Sequence, residues 1–228
     1  MSINIKRILI DVKEVLNDKS MPNIYYIPDE DIITKGYALI IGTEGTPYEY
    51  GNFLFEINFP DNYPFSPPKV TYNTNDGCTR FHPNLYINGY VCLSILNTWP
   101  GEKWSSCQSL RTILITISSI LDNNPLLYEP GVSIKHPDIN NYNSIIRYKK
   151  YEVSILKYLD IDNIPEKFKL FHNIIQESFI KNSSYLLTDI NKYKNETIKI
   201  HLYNKIICEC NYKNIKRLFN INKLKLNK

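Results

Sequence analysis

Phe81-His82-Pro83-Asn84-Leu85-Tyr86-Ile87-Asn88-Gly89-Tyr90-Val91-Cys92-Leu93-Ser94-Ile95-Leu96 is the stretch on which the fold is decided. Asn88-Gly89 signals a turn, because both residues take positive φ at little cost. Pro83 fixes its own φ and biases His82 away from helix, so residues 82–89 are expected to be irregular backbone. Cys92 follows that loop directly. A thiol so placed is partly reachable, and a thiolate is the best nucleophile among ordinary side chains at neutral pH. Asn84 carries an amide that either donates to a developing oxyanion or braces the loop. This is the chemistry of acyl transfer through a thioester. The other reading is a structural cysteine buried beside a tight turn, and spacing alone leaves the two open.

Upstream, Ile5, Ile8, Leu9, Val12, Val15 and Leu16 recur at helical spacing and predict an amphipathic N-terminal helix with Lys6 and Arg7 starting its polar side. Tyr37 to Ile41 is short and β-prone, and Gly42-Thr43-Glu44-Gly45 breaks it. Phe53, Phe55, Ile57 and Phe59 alternate as a strand with one face on a core does. The run Pro60-Asp61-Asn62-Tyr63-Pro64-Phe65-Ser66-Pro67-Pro68 is turn chemistry leading into a further strand at Val70. Successive strands with short links imply an antiparallel meander, not a doubly wound sheet. Downstream, Ser105 and Gln108 fit a capping box opening a helix whose stripe is Leu110, Ile113, Leu114, Ile117 and Leu121; Asn123-Asn124-Pro125 stops it. Cys107 then lies at a helix start, where the dipole favours a thiolate. Two more helical stretches are expected, Asn141 to Leu159 and another opening at Pro165-Glu166. Residues 181–228 read as further helix or a loosely held tail.

His82-Pro83-Asn84, Asn88-Gly89 and Val91-Cys92-Leu93-Ser94-Ile95-Leu96 together closely resemble the active site of the ubiquitin-conjugating enzymes. The stretch from Thr46-Pro47 through Tyr63-Pro64-Phe65 resembles that family's sheet. Asn97-Thr98-Trp99 and Tyr142 to Tyr148 are similar to a larger subclass with a C-terminal helical extension. The resemblance implies an α+β fold: a four-stranded antiparallel meander flanked by helices, with residues 1–134 as catalytic core, 135–180 as helical extension, and 181–228 as a basic Asn/Lys-rich segment. It implies that Cys92 accepts ubiquitin or a ubiquitin-like modifier from an activating enzyme as a thioester. Cys92 then passes the modifier to a lysine of a protein substrate or to a ubiquitin ligase. Asn84 is catalytic with it, and His82 and Pro83 are structural. Lys6 and Arg7 match the pair that meets the activating enzyme, and Phe65, Ser106 and Cys107 occupy the ligase-contact positions. Ser106 and Cys107 replace the last two residues of the family's Trp-Ser-Pro-Ala. Where many relatives place an acidic residue after Asn-Pro, this chain has Leu126-Leu127-Tyr128, so Leu127 and Glu129 are the gate residues. No cofactor is expected on this chain, since ATP is spent by the activating enzyme. The alternative is a non-catalytic module that presents ubiquitin; silent relatives lack the cysteine, and this chain has it.

Bulk composition bounds the rest. At 228 residues and 43% hydrophobic content the chain can bury a sizeable core. No apolar run is long enough to span a bilayer, and Met1 to Ile10 lacks a signal-peptide pattern, so a cytoplasmic or nuclear protein with no membrane partner is expected. Five cysteines without framework spacing fit a reducing compartment. Cys78 with His82, and Cys208 with Cys210, lack a second pair at ligand spacing, so no metal is expected. The net charge of +4 divides unevenly: residues 1–134 hold 9 basic and 14 acidic residues, leaving 27 − 9 = 18 and 23 − 14 = 9 for residues 135–228. The basic half carries no nucleic-acid recognition motif, and its lysines are interspersed with aliphatics, which argues against nucleic acid as a partner.

Overall fold

The computed structural model describes residues 3–226; Met1, Ser2, Asn227 and Lys228, which end the expected first and last segments, lie outside the described residues. The chain forms two compact units. One takes the residues up to Gly42 together with Phe53–Leu121; the other takes Thr43–Asn52 and everything from Asp122 on.

In the first unit α1 (Ile3–Asn17) forms where the apolar spacing predicts it. Ile8, Val12 and Val15 are buried, but Leu9 and Leu16 face out. The inner stripe is completed by a polar residue, Asp11, which is only 2% exposed. Strands β1 (Ile24–Pro28), β2 (Lys35–Ile41), β3 (Asn52–Asn58) and β4 (Lys69–Tyr72) form one sheet in that order. β1 and β2 run antiparallel with Tyr26 opposite Ala38, and β3 and β4 antiparallel with Ile57 opposite Val70. The alternation in β3 suggested one buried face; Leu54 is as fully buried as Phe53 and Phe55, so both faces are covered along the first half of the strand.

The helix after the Trp104 loop, α2 (Leu110–Ile120), starts later than the capping box at Ser105 suggested. Ser105 and Gln108 make half of the box: Gln108 Oε1 accepts from Ser105 N–H (3.2 Å), but Gln108 N–H donates to the Ser105 carbonyl (2.9 Å), and the Ser105 hydroxyl oxygen accepts from Cys107 N–H instead (3.3 Å). They close a single turn only. Arg7 occupies the Ser106 and Gln108 carbonyls (2.9 and 2.6 Å), and Leu110 N–H, which a helix begun at Ser105 would have sent to Ser106, donates to Asp11 Oδ2 (3.2 Å). Ser109 is the N-cap residue, its N–H donating to Thr112 Oγ1 (3.4 Å). Cys107 is therefore outside the helix.

In the second unit α3 (Ile139–Lys149) continues through a wide π-helical turn at Lys150–Leu156 and a tight turn at Lys157–Leu159. Ile145, Ile146, Val153, Leu156 and Leu159 are all buried, as their spacing requires. The stretch from Pro165 enters as a 3₁₀ segment, Glu166–Phe171, and becomes α4 (His172–Ile190), which runs through residue 180 without a break. After it, β5 (Glu196–Lys199), the short α5 (Leu202–Lys205), β6 (Ile207–Cys210) and α6 (Tyr212–Leu226) follow, β5 and β6 pairing antiparallel. Phe219 of α6 packs on Phe179 of α4 (ring centroids 4.9 Å), and Tyr212 on Tyr148 of α3 (5.3 Å). Residues beyond 181 thus carry core positions.

The early segment 43–52 is bonded into this unit over long sequence separations. Asn52 donates its amide to the Ser154 carbonyl (2.8 Å), and Tyr185 donates to Glu49 Oε2 (3.1 Å). Lys150, 1% exposed, lies 4.7 Å from the Tyr151 ring centroid, and Tyr151 donates to Asp189 Oδ2 (2.7 Å). Burial lowers the Lys150 ammonium to about 8 while Asp189 and Glu49 pull it back up. Nothing in the apolar pattern pointed to a lysine there.

Candidate active site

The loop before Cys92 is built by three side chains that bond to backbone. Asn84 N–H donates to His82 Nδ1 (2.9 Å), and the Asn84 carbonyl accepts from Cys92 N–H (2.9 Å). The Asn84 side-chain amide donates to the Cys92 carbonyl at 2.6 Å. One N–H of that amide thus braces the loop. His82 is fully buried; burial and the Arg80 charge hold its pKa down to about 3, so it is a neutral strut. Pro83 is buried in the same turn, and its carbonyl accepts from Arg80. Arg80 stacks on the Tyr86 ring (4.0 Å). Gly89 has φ +88°, and a Cβ there would meet Thr71 Cγ2 at 2.9 Å and the Tyr72 carbonyl at 3.0 Å. Glycine is needed at this turn for both reasons.

Cys92 itself is 4% exposed, less reachable than its place after a loop suggested. Its S–H donates to the Thr98 carbonyl at 3.0 Å. Burial pushes the thiol up from its ordinary value, and Arg80 opposes this. Thr98 closes the ring of residues 92–98. Its Oγ1 accepts from Leu93 N–H (2.8 Å), and its hydroxyl hydrogen lies between the Val91 and Leu93 carbonyls (2.9 and 3.0 Å). Asn97 makes the corner in the left-handed region, φ 59°. Beside the ring runs a groove of about 390 Å³ lined by Lys69, Thr71, Tyr90, Val91, Leu96 and Thr98, among others.

Around α1 the expected contact residues divide. Lys6 is exposed. Arg7 is turned inward: Nε bonds Asp11 Oδ1 (2.8 Å), and the two terminal nitrogens hold the Ser106 and Gln108 carbonyls. Asp11 in turn accepts from Tyr63 hydroxyl and from Leu110 N–H. Trp104 ties the neighbouring loop in, donating Nε1–H to the Pro64 carbonyl (2.7 Å) and its N–H to Asn97 Oδ1 (3.0 Å). Phe65, Ser106 and Cys107, far apart in sequence, are thus carried on two loops joined through Trp104, Arg7 and Asp11. Phe65 is 75% exposed, and Ser106 and Cys107 are exposed as well.

A family model described as ubiquitin-conjugating enzyme matches residues 7–147. The chain belongs to the ubiquitin-conjugating enzyme family. It is 42% identical over 159 residues to ubiquitin-conjugating enzyme E2 Z of Danio rerio, covering 68% of this chain and 48% of that protein. With E2 Z of Homo sapiens it shares 41% over 157 residues, 68% of this chain and 44% of that one. The putative ubiquitin-conjugating enzyme E2 39 of Arabidopsis thaliana is 45% identical over 120 residues, 50% of this chain and 37% of the plant protein. The chain spans about half the length of the curated relatives it matches first.

The gate residues that the ubiquitin-conjugating enzyme resemblance named lie in the second unit. Leu127 is 39% exposed, whereas its neighbour Leu126 is fully buried. Glu129 Oε2 accepts from Tyr203 hydroxyl at 2.6 Å, and Tyr203 has φ 53°. Asp11, Thr98 and Tyr203 are the residues that sequence reasoning missed. Asp11 had a signal, a lone acid on the apolar stripe of α1; the other two had none. Among the described residues no three His, Cys, Asp or Glu side chains are grouped as metal ligands, and the Cys208 and Cys210 sulfurs stand 3.8 Å apart in β6.

Proposed function

We propose that this chain accepts ubiquitin, or a ubiquitin-like modifier, from an activating enzyme as a thioester on Cys92 and passes it to a substrate lysine or to a ligase. The observation that carries this is the braced loop at Cys92: the Asn84 amide donates to the Cys92 carbonyl and His82 Nδ1 accepts from Asn84 N–H, so the loop holds a cysteine in fixed geometry at the family's motif position. In loading, the Cys92 thiol gives up its proton and its sulfur attacks the carbonyl carbon of the incoming thioester. The activating enzyme's thiolate leaves and is protonated. In discharge, the substrate's ammonium first loses one proton to solvent, and its nitrogen attacks the thioester carbonyl. Cys92 leaves as the thiolate, the nitrogen gives up a second proton, which can return the sulfur to the thiol, and the isopeptide nitrogen keeps its last hydrogen. ATP is consumed on the activating enzyme, and this chain binds no cofactor in the scheme.

Exposed Lys6 on α1 supports a contact with the activating enzyme, and Arg7 supports it indirectly by shaping the 105–109 loop. Exposed Phe65, Ser106 and Cys107 suit a ligase's apolar groove. A free lysine of pKa about 10.4 is uncharged only about once in 2,500 molecules at pH 7, so discharge needs a desolvated or oriented amine. Half-exposed Leu127 is the proposed desolvating residue, since Glu129 is already bonded to Tyr203.

The test is incubation with activating enzyme, ATP and ubiquitin, resolved on a non-reducing gel. A reductant-sensitive adduct is expected, replaced in Cys92→Ser by a slower, reductant-resistant one and unchanged in Cys107→Ala. A labile adduct that survives Cys92→Ser and disappears in Cys107→Ala overturns the assignment.

A further inference from the structure

We infer that Thr98 is the positioning residue of Cys92: its carbonyl holds the thiol proton between rounds, its hydroxyl holds that carbonyl in place, and acylation of the sulfur expels it. This inference rests on the reading of Cys92 as the acyl-carrying nucleophile. The geometry has two parts. The first is the 3.0 Å contact from Cys92 Sγ to the Thr98 carbonyl, in which only the protonated sulfur can donate. A carbonyl oxygen aimed at the sulfur stabilises the thiol and repels the thiolate, adding to what burial does. The second part is the Thr98 hydroxyl, which accepts from Leu93 N–H and lies against the Val91 and Leu93 carbonyls, so that the carbonyl cannot swing away while that clip is closed. Arg80 is the charged group that acts on the sulfur in the opposite sense, and His82 stays neutral beside the loop.

Thioester formation replaces the S–H bond by an S–C bond; the proton departs with the donor's thiol. The sulfur and the carbonyl oxygen then face each other with lone pairs and no hydrogen between them. Thr98 must move, and the ring it closes must open. The resting enzyme therefore shields its nucleophile from adventitious electrophiles, and loading itself releases the shield. Because Asn97 Oδ1 accepts from Trp104 N–H and Trp104 donates to the Pro64 carbonyl, the opened ring is bonded to the loop that carries Phe65.

The experiment needs no ubiquitin, so its failure is separable from a failure of the thioester assay. Alkylation of the full-length protein by iodoacetamide is followed across pH 6.5 to 10 by mass spectrometry of the Cys92 peptide, with exposed Cys78 and Cys107 as internal standards. Thr98→Val should move the midpoint for Cys92 down by about one pH unit, a rate at pH 7 about tenfold higher, while Thr98→Ser keeps the wild-type midpoint. A change in access alone alters the plateau and leaves the midpoint in place. A Thr98→Val midpoint equal to wild type overturns the inference. Should Thr98→Val not fold, wild-type protein decides it through amide hydrogen exchange before and after alkylation of Cys92. Leu93 and Thr98 amides should exchange at least about tenfold faster once the sulfur has lost its proton. Unchanged exchange at both positions refutes it.

Discussion

Replacing Asn84 by alanine separates two ways in which an amide beside a reacting thioester can act. Its Nδ2 lies 2.6 Å from the Cys92 carbonyl, and the residue is buried. Removing it leaves a buried acceptor without its side-chain donor, which costs about 1–3 kcal/mol, while the Cys92 N–H to Asn84 carbonyl bond remains. At 1.4 kcal/mol per decade this reduces the braced population of the loop by roughly 5- to 150-fold relative to its alternatives. An oxyanion donor behaves differently: its loss costs about 10²–10³ in the acyl-transfer step alone. Bracing therefore predicts that loading and discharge fall together and that the urea midpoint drops with them. Single-turnover loading from a charged activating enzyme, and single-turnover discharge onto free lysine, measure the two steps. Asn84→Asp adds a control with a sign. A carboxylate cannot donate to the Cys92 carbonyl, whereas a protonated carboxyl can, so loading by this variant, taken as a ratio to wild type at each pH, should improve as pH falls. Loading of Asn84→Ala within twofold of wild type, with discharge down a hundredfold, would refute the bracing argument.

Three further outcomes follow from neighbouring groups. His82 has its folded pKa depressed from 6.5 to about 3 by burial, so the unfolded chain binds the extra proton first. Its stabilising contribution is whole above pH 6.5 and is lost as pH falls from there toward 3, on the order of 1 kcal/mol per pH unit; urea midpoints from pH 7 to 4 should show a slope that His82→Gln flattens. Asp11→Ala removes the acceptor shared by Arg7, Tyr63 and Leu110 N–H and should cost about 3 kcal/mol in urea unfolding, with Asp11→Asn intermediate. Glu129→Gln should leave discharge onto free lysine nearly unchanged from pH 6.5 to 9.5, because the carboxylate is occupied by Tyr203 and an amide oxygen accepts that bond as well; a large drop would install Glu129 as the amine's partner.

The parts of this fold that were legible in the sequence are those set by periodicity and by a long local motif. The stripe of α2, the strand at Phe53 and the turn at Asn88-Gly89 each depend on neighbours a few residues away, and the motif around Cys92 is contiguous. What was illegible depends on pairs distant in the chain. The start of α2 was misplaced because Arg7 and Asp11, about a hundred residues upstream, take the groups a helix from Ser105 would have used. Arg7, read as starting the polar side of α1, is turned inward by the same distant partners. Leu126 and Leu127 are adjacent and chemically alike, yet one is buried and the other exposed, a distinction that only packing makes. Beyond residue 181 the abundance of lysine and asparagine hid a spacing that does bury Tyr212, Ile215 and Phe219.

The placement of residues 43–52 bears on how the protein emerges from the ribosome. Asn52 waits for Ser154, 102 residues later, and Glu49 for Tyr185, 136 residues later. At roughly 5–20 residues per second, those delays last about 5 to 30 seconds. Throughout that interval the strand that follows Asn52 can pair with its neighbours, but the segment leading into it stays solvated. Its polar composition, Thr43-Glu44-Gly45-Thr46-Pro47 before Tyr48-Glu49-Tyr50, suits that exposure. A more apolar segment there would give up the bonds of Glu49 and Asn52 and would offer the nascent chain a surface for misassembly.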